Sequence, residues 1–197
     1  HLSLRRQRQM CIRDRLLDIS LEAAGSESVE LANSVNRYKT AAYTIERPLH
    51  LGAAIAGASE ELIAAFRGYG HDIGIAYQLR DDQLGVFGDP AVTGKPAGDD
   101  LREGKRTELL ALALQRADES DPQAAATLRK LIGHTSDPQE LSRLAQIIAD
   151  SGAPEEIERR IDSLTQSGLQ HLHAAQVDPS VTETLEQLAI KATARRK

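Results

Sequence analysis

From Val29 to Ala56 apolar residues recur at helical spacing, and Leu31, Val35, Tyr38, Ala42, Ile45 and Leu49 fall on one stripe. The spacing predicts one long helix, kinked at Pro48, because proline gives no N–H to the ladder and crowds the turn before it. Ser59 then stands where an N-cap belongs, and Glu60 and Glu61 place negative charge at the positive end of a helix dipole. A helix to about Val86 follows, with Leu62, Ile63, Phe66, Ile73 and Tyr77 turned inward. Gly68, Gly70 and Gly74 weaken its propensity, and glycines so placed let another helix come close. A shorter helical pattern, Leu16–Ala24, is closed by Gly25-Ser26.

Beyond residue 106 the punctuation is regular. Thr107–Ala117 is the first helix predicted, and Asp121-Pro122 opens a second that Gly133 ends. Asp137-Pro138 repeats the device for a helix to about Ser151, closed by Gly152, since aspartate caps well and proline suits the first helical position. Pro154 begins a longer helix to about Gln176, and Ser180 caps a final one. His171 and His173, two apart, diverge on such a helix and do not share a metal. Strand signals are absent, so the expected fold class is all-α.

Composition narrows the picture. With 197 residues the chain suits one domain or a large piece of one. Aromatics are 3% and Trp is absent, so the core must be built from Ala, Leu and Ile, which calls for close helix packing. The single cysteine, Cys11, excludes an internal disulfide framework and fits a reducing, cytoplasmic setting. No apolar run approaches the ~20 residues needed to span a membrane. A net charge of −5 gives no reason to expect nucleic acid. Residues 1–15 carry five arginines and one aspartate, a local +4 that leaves −9 (−5 minus +4) for the remaining 182 residues. A transit segment is a poor fit, with Ser3 as its one hydroxyl residue. This segment reads as non-native sequence joined to residues 16–197, which form part of a single all-α domain.

Chemistry concentrates between Tyr77 and Arg106. Gln78, Asp81 and Asp82 fall at i, i+3 and i+4 and share a helix face. Adjacent carboxylates there suit Mg²⁺, which takes one or two from a protein and fills its other positions with water and phosphate oxygens. Lys95 and Lys105 supply ammonium groups suited to diphosphate, and Gly94, Gly98 and Gly104 allow the backbone to bend around it. The plain alternative is a capped helix end followed by a polar surface turn. A P-loop is excluded, because Gly88 lies one residue too far from Gly94 and Pro96 stands where the hydroxyl should be. Lys39, with Thr40 beside it and Tyr43 one turn on, reads by itself as an exposed lysine among core tyrosines. His71 reads as structural or solvated.

Several spaced motifs together resemble the trans-isoprenyl diphosphate synthases, the polyprenyl synthetase family that includes geranylgeranyl and farnesyl diphosphate synthases. Residues 16–197 are similar to that family's C-terminal part. Tyr38-Lys39-Thr40-Ala41-Ala42-Tyr43 resembles its lysine–threonine segment, and Tyr77-Gln78-Leu79-Arg80-Asp81-Asp82 its second aspartate-rich motif. Gly88 through Lys95, Asp99-Asp100 and Gly104-Lys105 continue the pattern. The resemblance implies an isoprenoid synthase-type helical bundle, usually a homodimer when full length, that condenses an allylic diphosphate with isopentenyl diphosphate. It implies that Asp81, with Asp82 acting through water, holds Mg²⁺ against the allylic diphosphate. It implies further that Lys39, Thr40, Gln78, Lys95 and Lys105 bind the diphosphate, Gln78 also orienting within the site, and that Lys39, Asp81 and Lys95 are the catalytic residues.

Two departures qualify this. The family motif reads D-D-x-x-D, and its last position here is Gly85, which is expected to weaken metal binding without abolishing it. The first aspartate-rich motif and the isopentenyl diphosphate pocket have no counterpart in residues 1–38, so truncation and an inactive fragment are expected. A non-catalytic partner subunit is the alternative; a terpene cyclase fits less well, because so few aromatic faces are available to stabilise carbocations.

Overall fold

The computed structural model describes residues 27–94 and 96–194, apart from the side chains of Val35, Tyr38, Lys39, Val92 and Thr93. Segment 1–15 and the helix expected over Leu16–Ala24 lie outside the described residues. Helices follow in the order α1 Val29–Asn36, a π-helical segment Arg37–Glu46, α2 Arg47–Ile55, α3 Glu60–Phe87, α4 Pro90–Thr93 and α5 Asp99–Glu103. They continue as α6 Glu108–Ser120, α7 Pro122–Leu131, α8 Pro138–Asp150, α9 Ala153–Ala174 and α10 Pro179–Thr193. No strand occurs among the described residues, in agreement with the all-α expectation. No described helix is long and apolar enough to cross a membrane.

The predicted helix over Val29–Ala56 is helical throughout but not uniformly α. Arg47 donates its N–H to the carbonyl of Ala42, five residues back, so the wide pattern runs up to the proline. Pro48 itself sits in the first turn of α2, where a missing N–H is tolerated. The disruption expected as a kink at Pro48 is thus a change of hydrogen-bond pattern ahead of it. The apolar stripe shifts as well. Ala32, Asn36, Thr40, Ala41 and Ala53 are buried while Leu31 is exposed, and Tyr43, read from the sequence as a core residue, is 54% exposed. A π turn holds more residues than an α turn, so a stripe counted at 3.6 residues per turn drifts off the buried face.

The described chain divides into two compact units. One comprises 34–80 and 159–194, the other 27–33, 81–94 and 96–158, and α3 and α9 each contribute to both. In the first unit Ala53, Phe66, Tyr69, Ile73, Leu172 and Ala189 form the core, with Ile45, Leu49, Leu62, Ile63, Leu169 and Leu185 packed around it. The glycine expectation holds here for Gly68, where a Cβ would meet the His171 ring at 2.6 Å. Gly168 on α9, which the sequence did not single out, is as tight, a Cβ on it meeting Ile73 Cδ1 at 2.8 Å. Tyr69 donates its hydroxyl to the Leu185 carbonyl at 2.7 Å, and burial pushes its pKa up to about 12. Arg80, 5% exposed, donates Nε–H to the Thr193 carbonyl at 2.8 Å and so secures the end of α10. His171 Nε2 lies 3.7 Å from Asp72 and His173 Nε2 3.2 Å from Glu186, so the two histidines diverge as expected.

The second unit is a stack of capped helices. Thr107 Oγ1 accepts from Leu110 N, Asp121 Oδ1 from Gln123 N and Ala124 N, and Asp137 Oδ1 from Gln139 N. Each hydroxyl or carboxylate satisfies N–H groups that the first helical turn leaves open. Leu109, Leu114, Leu128, Leu144, Ile148 and Ile157 are fully buried among these helices. Gln83 on α3 donates to the Pro154 carbonyl at 3.0 Å, which anchors the end of α3 that carries the aspartates. In the first unit, the cap of α10 is Asp178, whose Oδ1 accepts from Ser180 N at 2.9 Å. Ser180 was expected in that role. Asp178-Pro179 is the same aspartate–proline device that opens α7 and α8, and the carboxylate outcompetes the hydroxyl two residues on.

Candidate active site

The lysine–threonine segment is placed by glycines on α3. A Cβ on Gly74 would fall onto the Ala41 backbone and one on Gly70 would meet Glu46 Cα at 2.7 Å, so the π segment lies backbone against helix there. Ala41 is wholly buried by this approach. Thr40, next to it, is 7% exposed and its Oγ1 donates to Gln78 Oε1, one turn beyond Gly74. Two residues predicted 38 positions apart are therefore joined. The Lys39 side chain, by contrast, lies outside the described residues.

On α3 itself Gln78, Asp81 and Asp82 occupy the predicted helical spacing. Asp81 is exposed and Asp82 is 5% exposed, so one carboxylate faces water and the other is sheltered. Among the described residues no three His, Cys, Asp or Glu side chains group closely enough to form a metal cage. Two adjacent carboxylates on one helix are a donor set that fits Mg²⁺, which takes one or two carboxylates from a protein and keeps much of its water.

The segment after α3, where the glycine pattern predicts bends, is not irregular throughout. It contains two short helices, α4 and α5, and the glycines between and after them are where the chain reverses. Gly94, Gly98 and Gly104 take φ of 69°, 71° and 73°, as their place in the pattern required. Gly104 also lies backbone to backbone with Gly133, a Cβ on it reaching Gly133 Cα at 3.0 Å, while Gly133 N donates to Leu101 O at 2.9 Å. This contact fixes the chain just before Lys105. Lys105 is half-buried, with Nζ 2.5 Å from Asp100 Oδ1 and 3.1 Å from Glu103 Oε2. Burial alone would lower its pKa, but the hydrogen bonds and charges of Asp100 and Glu103 together raise it, so the side chain is a fixed cation. Lys95 lies outside the described residues. The residue that sequence reading left without a role is Asp100. Its signal was an acid five positions before the lysine, which becomes meaningful only once the αL glycine folds the chain back.

The sequence matches the family model for polyprenyl synthetase over residues 5–150. The chain belongs to the polyprenyl synthetase family. Among solved structures it is similar to the geranylgeranyl pyrophosphate synthase of Corynebacterium glutamicum complexed with isoprenyl diphosphate and magnesium. The two superpose with a TM-score of 0.94 and 60% identity, over 96% of this chain and 53% of that one. A geranylfarnesyl diphosphate synthase of Aeropyrum pernix is 47% identical over 91 residues, 45% of this chain and 28% of its own length. A geranylgeranyl diphosphate synthase of Mycobacterium tuberculosis is 45% identical over 76 residues, 39% of this chain and 22% of its own. The chain thus spans about half the length of the Corynebacterium synthase. Family membership and the superposition agree with the helical-bundle fold expected from the motifs.

Proposed function

We propose that this chain forms part of a prenyltransferase that condenses an allylic diphosphate with isopentenyl diphosphate to a longer polyprenyl diphosphate, of geranylgeranyl or farnesyl length. The observation that carries the reading is the Thr40–Gln78 hydrogen bond, which brings the lysine–threonine segment onto the helix that bears Asp81 and Asp82. The Corynebacterium relative, complexed with isoprenyl diphosphate and magnesium, supports the same ligand chemistry.

In this reading Asp81, exposed at the helix face, would hold Mg²⁺, and Asp82 beside it would do so through water. When bound, the metal neutralises charge on the diphosphate as it departs. The chain's own part is to hold cations where that charge develops. Lys39, Lys95 and Lys105 take the diphosphate oxygens, Gln78 orients within the site, and Thr40 fixes the Gln78 carboxamide by its hydrogen bond. Cations already in position cost no reorganisation as the C–O bond breaks, so they stabilise the transition state more than the bound substrate. No protein nucleophile is needed. The functional assembly is proposed to be a cytoplasmic homodimer containing further residues that face this wall, so the chain alone is expected to bind without turning over.

Titration of the 197-residue chain with geranyl diphosphate tests this. Heat of binding in the presence of Mg²⁺, lost with EDTA and lost in Asp81→Asn, is expected. Binding that ignores both metal and substitution would overturn the assignment, and prenyl product from this chain alone would overturn the division of the site.

A further inference from the structure

Gly85 stands where the second aspartate-rich motif ends, and the sequence counts it as a missing carboxylate. Its surroundings in the second unit give it another meaning. A Cβ built on Gly85 falls on the carboxylate of Asp100, with Oδ2 and Cγ both well inside the 3.0 Å that real Cβ contacts respect. The space beside this turn of α3 is therefore filled by the side chain of Asp100, which is only 7% exposed. The same carboxylate holds Lys105, Oδ1 to Nζ at 2.5 Å, and the Asp100 carbonyl accepts from Lys105 N at 3.0 Å.

We infer that Gly85 is a seat for Asp100, and that Asp100, seated there, is a positioning residue that holds the Lys105 ammonium for diphosphate. The inference rests on the proposed diphosphate role of Lys105. Three physical points carry it. First, residues 81, 82 and 85 lie on one side of α3, so a carboxylate seated at Gly85 sits one turn from the proposed metal ligands. Second, that carboxylate is already paired to the Lys105 ammonium, which Glu103 also contacts at 3.1 Å and which is the more exposed partner, where a D-D-x-x-D helix presents a third carboxylate with no such cation built in. Third, a lysine on a flexible stem loses much rotamer freedom on ordering, and pairing it in advance lowers what ligand binding must still pay. The missing carboxylate at Gly85 is then no simple loss, because the position is occupied in a way that serves the same site. It also follows that restoring an aspartate at 85 does harm, since two carboxylates then compete for one space.

The first test reads Lys105 directly. Reductive methylation of the chain followed by peptide mass spectrometry is expected to find Lys105 slow in the wild type and at least fivefold faster in Gly85→Ala and in Asp100→Asn. The obstructing group is the end of a short side chain and not backbone, so Gly85→Ala displaces the carboxylate and leaves the fold standing. The second test titrates Mg²⁺ with inorganic pyrophosphate. Gly85→Ala, Gly85→Asp and Asp100→Asn are each expected to weaken binding about tenfold. The Gly85→Ala and Asp100→Asn losses should not add in the double variant, because each removes the same pairing; two unrelated structural lesions would add. Wild-type-like methylation in Gly85→Ala, additive losses, or tighter binding by Gly85→Asp overturns the inference while leaving the proposed function standing. Absence of pyrophosphate binding by the wild type overturns the proposed role of Lys105 and the inference with it.

Discussion

The two units use glycine in contrasting ways. In the first, Gly70 and Gly74 admit the backbone of the π segment, at Glu46 and Ala41. In the second, Gly85 admits the carboxylate of a side chain, and Gly104 admits the backbone of Gly133. From the sequence these glycines look alike. What separates them is whether the neighbour can move, since a carboxylate rotates away from a new methyl group and a packed backbone does not.

This contrast can be broken experimentally. The largest effect is expected for Gly74→Ala. Alanine gains about 1 kcal/mol of helix propensity, yet forcing a methyl into the Ala41 backbone should leave a net loss of about 3 kcal/mol in urea unfolding. A loss under about 1 kcal/mol would mean that the π segment can slide, and the Thr40–Gln78 bond should then break. Gly104→Ala is next, at about 2 kcal/mol, because it combines a left-handed φ with the Gly133 contact. Its measurement is the same urea midpoint, and Gly133→Ala should cost about as much if the two backbones are in mutual contact.

A third expectation concerns pH and sharpens the account of the first unit's core. Tyr69 has its folded pKa raised from 10.0 to about 12 by burial, so the folded state keeps the phenol proton after the unfolded chain has released it. Its contribution is therefore fully present below pH 10 and falls as pH rises towards 12, the unfolded state then binding fewer protons. Tyr69→Phe should flatten this part of the stability–pH curve; an unchanged slope would assign it to other groups. The smallest effect is expected for Gly85→Ala, within about 1 kcal/mol in unfolding. A loss as large as that of Gly74→Ala would erase the distinction between the two kinds of glycine.

Much of the architecture was legible in the chain. Aspartate before proline located the starts of α7 and α8, Ser59 located that of α3, and the αL glycines located the reversals that carry Lys105. These signals are local, since each depends on a residue's own dihedral preferences or on an oxygen reaching an N–H two or three residues on. The missed features depend on partners distant in sequence. The π pattern over Arg37–Glu46 coincides with the close approach to α3 at Gly70 and Gly74, and no count at 3.6 residues per turn finds it. The cap at Asp178 was a different error, because the aspartate–proline signal was present and a neighbouring serine was preferred.

By itself the sequence determined the helical class, the family and the spacing of the residues proposed for diphosphate and metal, because spacing along one helix and motif composition are properties of the chain alone. Only the tertiary structure decided that Thr40 meets Gln78 and that the carboxylate missing at Gly85 gives room to Asp100. Both depend on how closely one backbone can approach another, and that distance is set by packing between segments remote in sequence.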